Sequence, residues 1–185
     1  MNYIYKTGKI PDDFVVSNFI TIPKVSKAIR CSDFRTISLI PHASKILLKI
    51  IQTRINPIID KHLSETQLGF RKGKGTRDGL FLLRCISERF IEKQQDLFLC
   101  FIDYTKAFDR VQHTKLLEIM EKVGIPEHER NLVANLYWNQ TASVRTTAGC
   151  TDRVRICRGV RQGCILSCTV NFYSKKLWRL VMGLV

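Results

Sequence analysis

Apolar residues recur at helical intervals through the first half of the chain and then close up into one short unbroken run. Between residues 44 and 59 they fall at Ile46, Leu47, Ile50, Ile51, Ile55, Ile58 and Ile59, one face of a helix, with Pro57 as a break or kink. Ahead of this, residues 14–23 alternate loosely between apolar and polar, which predicts a strand entering the basic turn 24–27. A Gly- and Lys-rich turn over 69–75 precedes a second helix, capped by Thr76 and carrying Leu80, Leu83, Ile86 and Phe90. Residues 97–102, Leu-Phe-Leu-Cys-Phe-Ile, predict a strand buried on both faces that ends at Asp103. A third helix over 114–123 is stopped by Gly124 and Pro126. Residues 143–147 and 153–157 predict a hairpin around Ala148, Gly149 and Cys150, and a last helix starts near Gln162 or Gly163. Helix-rich segments first, then strands interleaved with helices, indicate an α+β domain.

Composition changes this picture in two ways. The 185 residues hold one domain or a large piece of one, and 45% hydrophobic content suffices for a core. Thirty Lys and Arg against sixteen Asp and Glu leave a net charge of +14. Charge alone points equally to a polyanionic partner and to a merely basic soluble protein. The seven cysteines are odd in number and scattered, contain no CxxC, and have no His placed to complete a zinc pattern with Cys157, Cys164 and Cys168. They read as reduced thiols of a nuclear or cytoplasmic protein. The N-terminus lacks the apolar stretch of a signal peptide and no run reaches membrane-spanning length, so neither secretion nor a membrane partner is expected. Asn139-Gln140-Thr141 matches a glycosylation acceptor by chance.

Four segments carry chemistry. Asp103 closes the apolar run where side chains of neighbouring strands converge. Alone it would be a simple strand terminator, but Asp-Tyr-Thr-Lys-Ala-Phe-Asp continues as a unit over 103–109. Residues 158–167 begin Arg-Gly-Val-Arg-Gln-Gly; Gly159 and Gly163 allow close backbone approach, and an incipient helix N-terminus offers N–H groups to phosphate. Residues 35–39 read Arg-Thr-Ile-Ser-Leu, and residues 67–76 expose Arg71, Lys72 and Lys74.

Residues 101–109 are similar to the first palm motif of non-LTR retrotransposon reverse transcriptases, and 158–167 resemble the second. Residues 35–39 resemble a fingers motif, with Thr36 in place of the usual proline, and 67–76 the next one. All four stand in family order, from about residue 20 to residue 177. The resemblance implies an RNA-directed DNA polymerase with a right-hand fold, fingers over about 1–95 and part of the palm over 96–185. Asp103 would be the catalytic, metal-binding aspartate of a two-ion Mg²⁺ site. Phe108 would screen out a 2′-hydroxyl, and Gln162 and Gly163 would lie against the incoming nucleotide. Arg35 would grip the triphosphate; Lys24 matches a second basic position, with Lys27 close enough to be the alternative. Arg71, Lys72 and Lys74 would hold template phosphates. Asp109 fits a helix cap or a fold-stabilising carboxylate as well as a functional one. The implied partners are an RNA template, a DNA primer and deoxynucleoside triphosphates.

Downstream of the second palm motif the sequence departs from that family. Relatives complete the metal site with a Tyr/Phe-x-Asp-Asp hairpin, whereas this sequence has no acidic residue after Asp152. Neither a thumb nor an endonuclease domain is expected within these residues, and Cys168 replaces a second proline. The expectation is a degenerate or truncated piece that does not polymerise alone and exposes apolar surface at some cost in solubility. Two alternatives stay open: a nucleic-acid-binding remnant without chemistry, and a relic without function.

Overall fold

Burial along one face of a long helix organises the chain. The computed structural model describes residues 1–147 and 149–160. Two short helices, α1 (Asn2–Thr7) and α2 (Asp12–Val15), lead into β1 (Val16–Pro23). A single 3₁₀ turn (Cys31–Asp33) connects to β2 (Phe34–Leu39). Four helices come next: α3 (His42–Asp60), α4 (Thr76–Glu92), α5 (His113–Lys122) and α6 (Glu127–Trp138). Strands β3 (Thr141–Thr146), β4 (Gly149–Cys150) and β5 (Val154–Arg155) are last. The fold is therefore mixed α and β.

The sheet runs β2-β1-β3-β4, with β5 also on β3. β1 pairs antiparallel with β2 and parallel with β3, Val16 opposite Thr141 and Ile20 opposite Arg145. The predicted hairpin is present: β3 pairs antiparallel with β4 through Arg145 and Cys150, and with β5 through Ala142 and Val154. On α3, Leu47, Ile51, Ile55 and Ile59 recur every fourth residue and are all buried. They meet Leu116 and Met120 of α5, and Leu132, Val133, Leu136 and Tyr137 of α6, in one core that also holds Val111 and Val160. α5 ends as predicted, Gly124 taking φ +81° just beyond it.

Several expectations need correction. Pro57 does not break the helix, which continues to Asp60. The residue that caps α4 is Gly75, not Thr76; the Asp78 carboxylate accepts the Gly75 N–H at 2.7 Å in place of a cap by a threonine hydroxyl. α6 is an element that the pattern of residues does not predict. Its first turn, Glu127-His-Glu-Arg, is polar, and its apolar stripe begins only at Leu132; the early carboxylates Glu127 and Glu129 favour the helix N-terminus. The strand expected over 14–23 is present as β1, and a second strand, β2, which the pattern does not predict, also precedes the long helices.

The largest discrepancy lies at residues 97–102. They form no strand, and Phe98 (90% exposed), Leu99, Phe101 and Ile102 face outward. No described strand runs alongside to pair their backbone, and no described layer covers their side chains, so the apolar run lacks the partners that burial requires. α4 shares this exposure at Leu80, Phe81, Leu82, Ile86 and Ile91.

One charged cluster ties the N-terminal helix down. Glu129, 6% exposed, accepts the Tyr5 hydroxyl at 2.5 Å and Arg54 Nε at 3.1 Å, while the Arg54 guanidinium lies 4.7 Å from the Tyr5 ring centre. Burial alone would raise the Glu129 pKa. The hydrogen bonds from Tyr5 and Arg54, with the Arg54 charge, win, and the carboxyl lies below its usual range. Burial, then the neighbouring carboxylate, pushes the Tyr5 phenol up.

Ile55→Ala removes a fully buried side chain and should cost about 2–5 kcal/mol in denaturant unfolding, whereas exposed Ile46→Ala should cost less than about 0.5 kcal/mol. Because the folded Glu129 pKa is depressed, its contribution is present above the unfolded value of about 4.3 and disappears as pH falls through the folded one. Glu129→Gln should therefore flatten the acid limb of a stability-versus-pH curve relative to wild type.

Candidate functional site

The 103–109 segment leaves the exposed run and turns sharply into α5. Lys106 takes a left-handed φ of +57°, and its carbonyl accepts the N–H groups of Asp109 at 3.1 Å and Arg110 at 3.2 Å. Val111, 1% exposed, then anchors the chain in the core. This turn leaves Phe108 half-buried against the core, its ring edge-on to Phe70 at 6.3 Å. Phe70 belongs to the basic 67–76 loop, so that loop reaches the 103–109 turn through two aromatic rings.

The first residues of the 158–163 segment dock onto the same turn. Gly159 N–H donates to Val111 O at 2.8 Å, and Val160 N–H to Phe108 O at 2.9 Å. His113 Nε2, at 2.8 Å from Gly159 O, must carry its proton there, because a carbonyl only accepts. Glycine is required at 159 on two counts. Its φ is +91°, and a Cβ would sit 3.0 Å from both Cα and O of Asp109.

Next to this junction is a cavity of about 220 Å³. It is lined by Thr36 and Ser38 of β2, Phe19 of β1, Asp109, Gln140 and Arg158 among others. Three segments that are remote in sequence thus share one wall. The Ser38 hydroxyl and the Gln140 side-chain oxygen are buried and have no hydrogen-bond partner in the protein. A cavity of this size has room for water, which would satisfy both.

Arg35 is not among the residues gathered there. It pairs with Ile22 in the β1–β2 ladder and is exposed. Strand alternation puts it with Ile37 and Leu39, on the face opposite Thr36 and Ser38. Lys24 lies at the same end of the hairpin; its ammonium donates to Ser32 O at 2.7 Å and its N–H to Asp33 O. Asp33 braces this turn, its pKa lowered by the N–H groups of Arg30 and then Ile29, with help from Ser32 and Lys24. In the basic loop, Arg71 donates to Ser64 O at 3.0 Å and Lys74 to Glu65 O at 2.8 Å, so both help fold the loop; Lys72 is exposed.

Asp103 is exposed, in a segment without regular structure. Among the described residues, no group of three or more His, Cys, Asp or Glu side chains is placed to hold a metal ion. A two-ion magnesium site therefore does not fit the described donors, of which Asp103 would be one. Gln162 and Gly163, and the helix expected to start there, lie outside the described residues. The cysteines among those described, Cys31, Cys85, Cys100, Cys150 and Cys157, are free. No helix among the described residues is long and apolar enough to cross a membrane. Sequence reasoning misses Ser38 and Gln140 as cavity residues. Alternation along β2 would have put Ser38 opposite Arg35; nothing short of α6 would have placed Gln140.

These segments match a known pattern. Residues 22–180 match the family described as reverse transcriptase (RNA-dependent DNA polymerase), and the chain belongs to that family. It is 27% identical over 167 residues to the Pol polyprotein of the type-2 retrotransposable element R2DM of Drosophila melanogaster, covering 90% of this chain and 16% of the relative. It is 30% identical over 173 residues to the RNA-directed DNA polymerase from mobile element jockey of Drosophila funebris, covering 91% and 19%. The R2 polyprotein of Popillia japonica is 26% identical over 161 residues, covering 86% and 22%. The resemblance to non-LTR retrotransposon reverse transcriptases holds, and the chain spans less than a quarter of the length of these relatives.

Gly159→Ala tests the junction. It should destabilise the protein by about 1–3 kcal/mol through backbone strain, and hydrogen exchange should quicken at the amides of residues 159 and 160. An unchanged melt with unchanged exchange would mean the two segments are not tightly docked.

Proposed function

We propose that this chain is a nucleotide- and template-handling portion of an RNA-directed DNA polymerase from a retrotransposon, built as fingers and part of a palm. Support comes from the convergence of residues 36–38, 108–111 and 158–160 on one junction, since a polymerase site assembled from distant motifs demands such a meeting point. In this reading Asp103 contributes a carboxylate to magnesium, and Phe108, held by Phe70 and the core, screens the sugar. Gln162 and Gly163 touch the nucleotide. Arg35 and Lys24, at the same end of one hairpin, serve its phosphates. Arg71, Lys72 and Lys74 track the template backbone, two of them while also bracing their own loop. The nucleic-acid and deoxynucleotide partners come with the same assignment.

Phosphoryl transfer with two ions needs more carboxylates than Asp103 supplies. The 185 residues on their own are therefore expected to bind nucleic acid without extending a primer. A second reading, a non-catalytic nucleic-acid-binding remnant, draws on the +14 charge and on the exposed setting of Asp103.

Primer extension on an RNA template with Mg²⁺, run beside salt-titrated binding, tests both. Expected are no extension and salt-sensitive binding that Asp103→Asn leaves intact. Incorporation above the Asp103→Asn control would instead make the isolated chain a polymerase and Asp103 its catalytic residue.

A further inference from the structure

Adjoining the Ser38–Gln140 cavity is a second one, of about 360 Å³. Arg158 and Ile156 line both. The second is walled by Arg155 and Arg158, by Gln112 and Thr114, and by the indole of Trp138; no carboxylate lines it. None of Trp138, Arg155 or Thr114 belongs to the motifs assigned above.

The indole is held in place from behind. His113 stacks on Tyr137 at 4.9 Å and lies 6.5 Å from the Trp138 ring, while its Nε2 is fixed on Gly159 O. Arg155 donates one N–H to Trp138 O at 3.2 Å, which ties its guanidinium to the same residue and leaves further donors for a ligand. Trp138 is nevertheless 39% exposed, an unusual setting for so large an apolar ring. Beyond Trp138 the next groove carries Glu118, Glu121 and Glu127, with Arg130 paired to Glu121 and Lys115 to Glu118. A phosphate chain would be attracted more strongly on the arginine side of the indole than over this mixed-charge groove.

We propose that this cavity binds single-stranded nucleic acid, one base stacking on Trp138 and the adjoining phosphates resting on Arg155 and Arg158. An exposed ring beside two guanidiniums suits an unpaired strand, because bases inside a duplex cannot offer their faces. Arg158 connects the cavity to the motif junction, so a strand leaving that junction is handed to Trp138. This rests on the nucleic-acid-binding reading above and adds to it contacts at Trp138 and Arg155, outside the motifs.

The test is anisotropy titration of a labelled single-stranded oligonucleotide of about 12 nucleotides, together with tryptophan fluorescence. Trp178→Phe leaves Trp138 as the lone indole, and its emission should be quenched to saturation along the same binding curve. Trp138→Leu should weaken binding about tenfold. Arg155→Gln and Arg158→Gln should each lower the salt slope by about 0.7. Binding with full affinity in these variants, and without quenching in Trp178→Phe, overturns the subsite while leaving nucleic-acid binding intact. No binding by wild type overturns both. Equal affinity for a free nucleoside monophosphate overturns the strand in favour of a nucleotide pocket. Because the quenching reads the otherwise intact protein, the outcome does not depend on whether Trp138→Leu folds.

Discussion

The hydrogen bonds that clamp Gly159 and Val160 to Phe108, Val111 and His113 hold the rest of the molecule in register. Two segments separated by some fifty residues meet there backbone to backbone, with no side chain at 159 to keep them apart. Backbone contact is directional, so the clamp fixes more than proximity. It holds Phe108 by its carbonyl beside Phe70 and fixes the His113 ring by its Nε2. The same His113 ring stacks on Tyr137 and lies 6.5 Å from the indole of Trp138. The two cavities that share Ile156 and Arg158 adjoin this one crossing.

Much of the helical part can be read in the residues because the signal and the cause coincide. The four-residue spacing of Leu47, Ile51, Ile55 and Ile59 is the stripe that α3 buries, and the stop after α5 is written in Gly124. Residues 97–102 show where that logic ends. An apolar run states a demand for burial, but only a neighbouring strand and a covering layer meet it, and neither is encoded locally. α6 escapes for the opposite reason: its polar first turn hides a buried stripe that begins only at Leu132.

The site is legible as motifs and illegible as a place. Residues 35–39, 67–76, 103–109 and 158–163 can each be picked out, and the family emerges from them. That Thr36 and Ser38 turn toward the junction while Arg35 turns away is a matter of strand parity, settled by the ladder with β1. Gln140 and Trp138 carry no motif at all. They matter because α6 delivers them beside the crossing, and that is tertiary information. The cations of the basic loop look in the sequence like groups awaiting phosphate, yet Arg71 and Lys74 also hold the carbonyls that shape their own loop.

The parallel pairing of β1 with β3 bears on how the protein comes into being. Asn18 meets Ser143 across that pairing, 125 residues along the chain. As the chain leaves the ribosome, the β1–β2 hairpin can form early, but its inner edge stays open until α3 to α6 have been made and β3 arrives. Closing so long a loop is entropically costly and slow, so assembly of the sheet is a late event that depends on the helices packing first. Until then β1 presents an unpaired ladder to any other strand it meets, and the hazard belongs to synthesis, not to the finished fold.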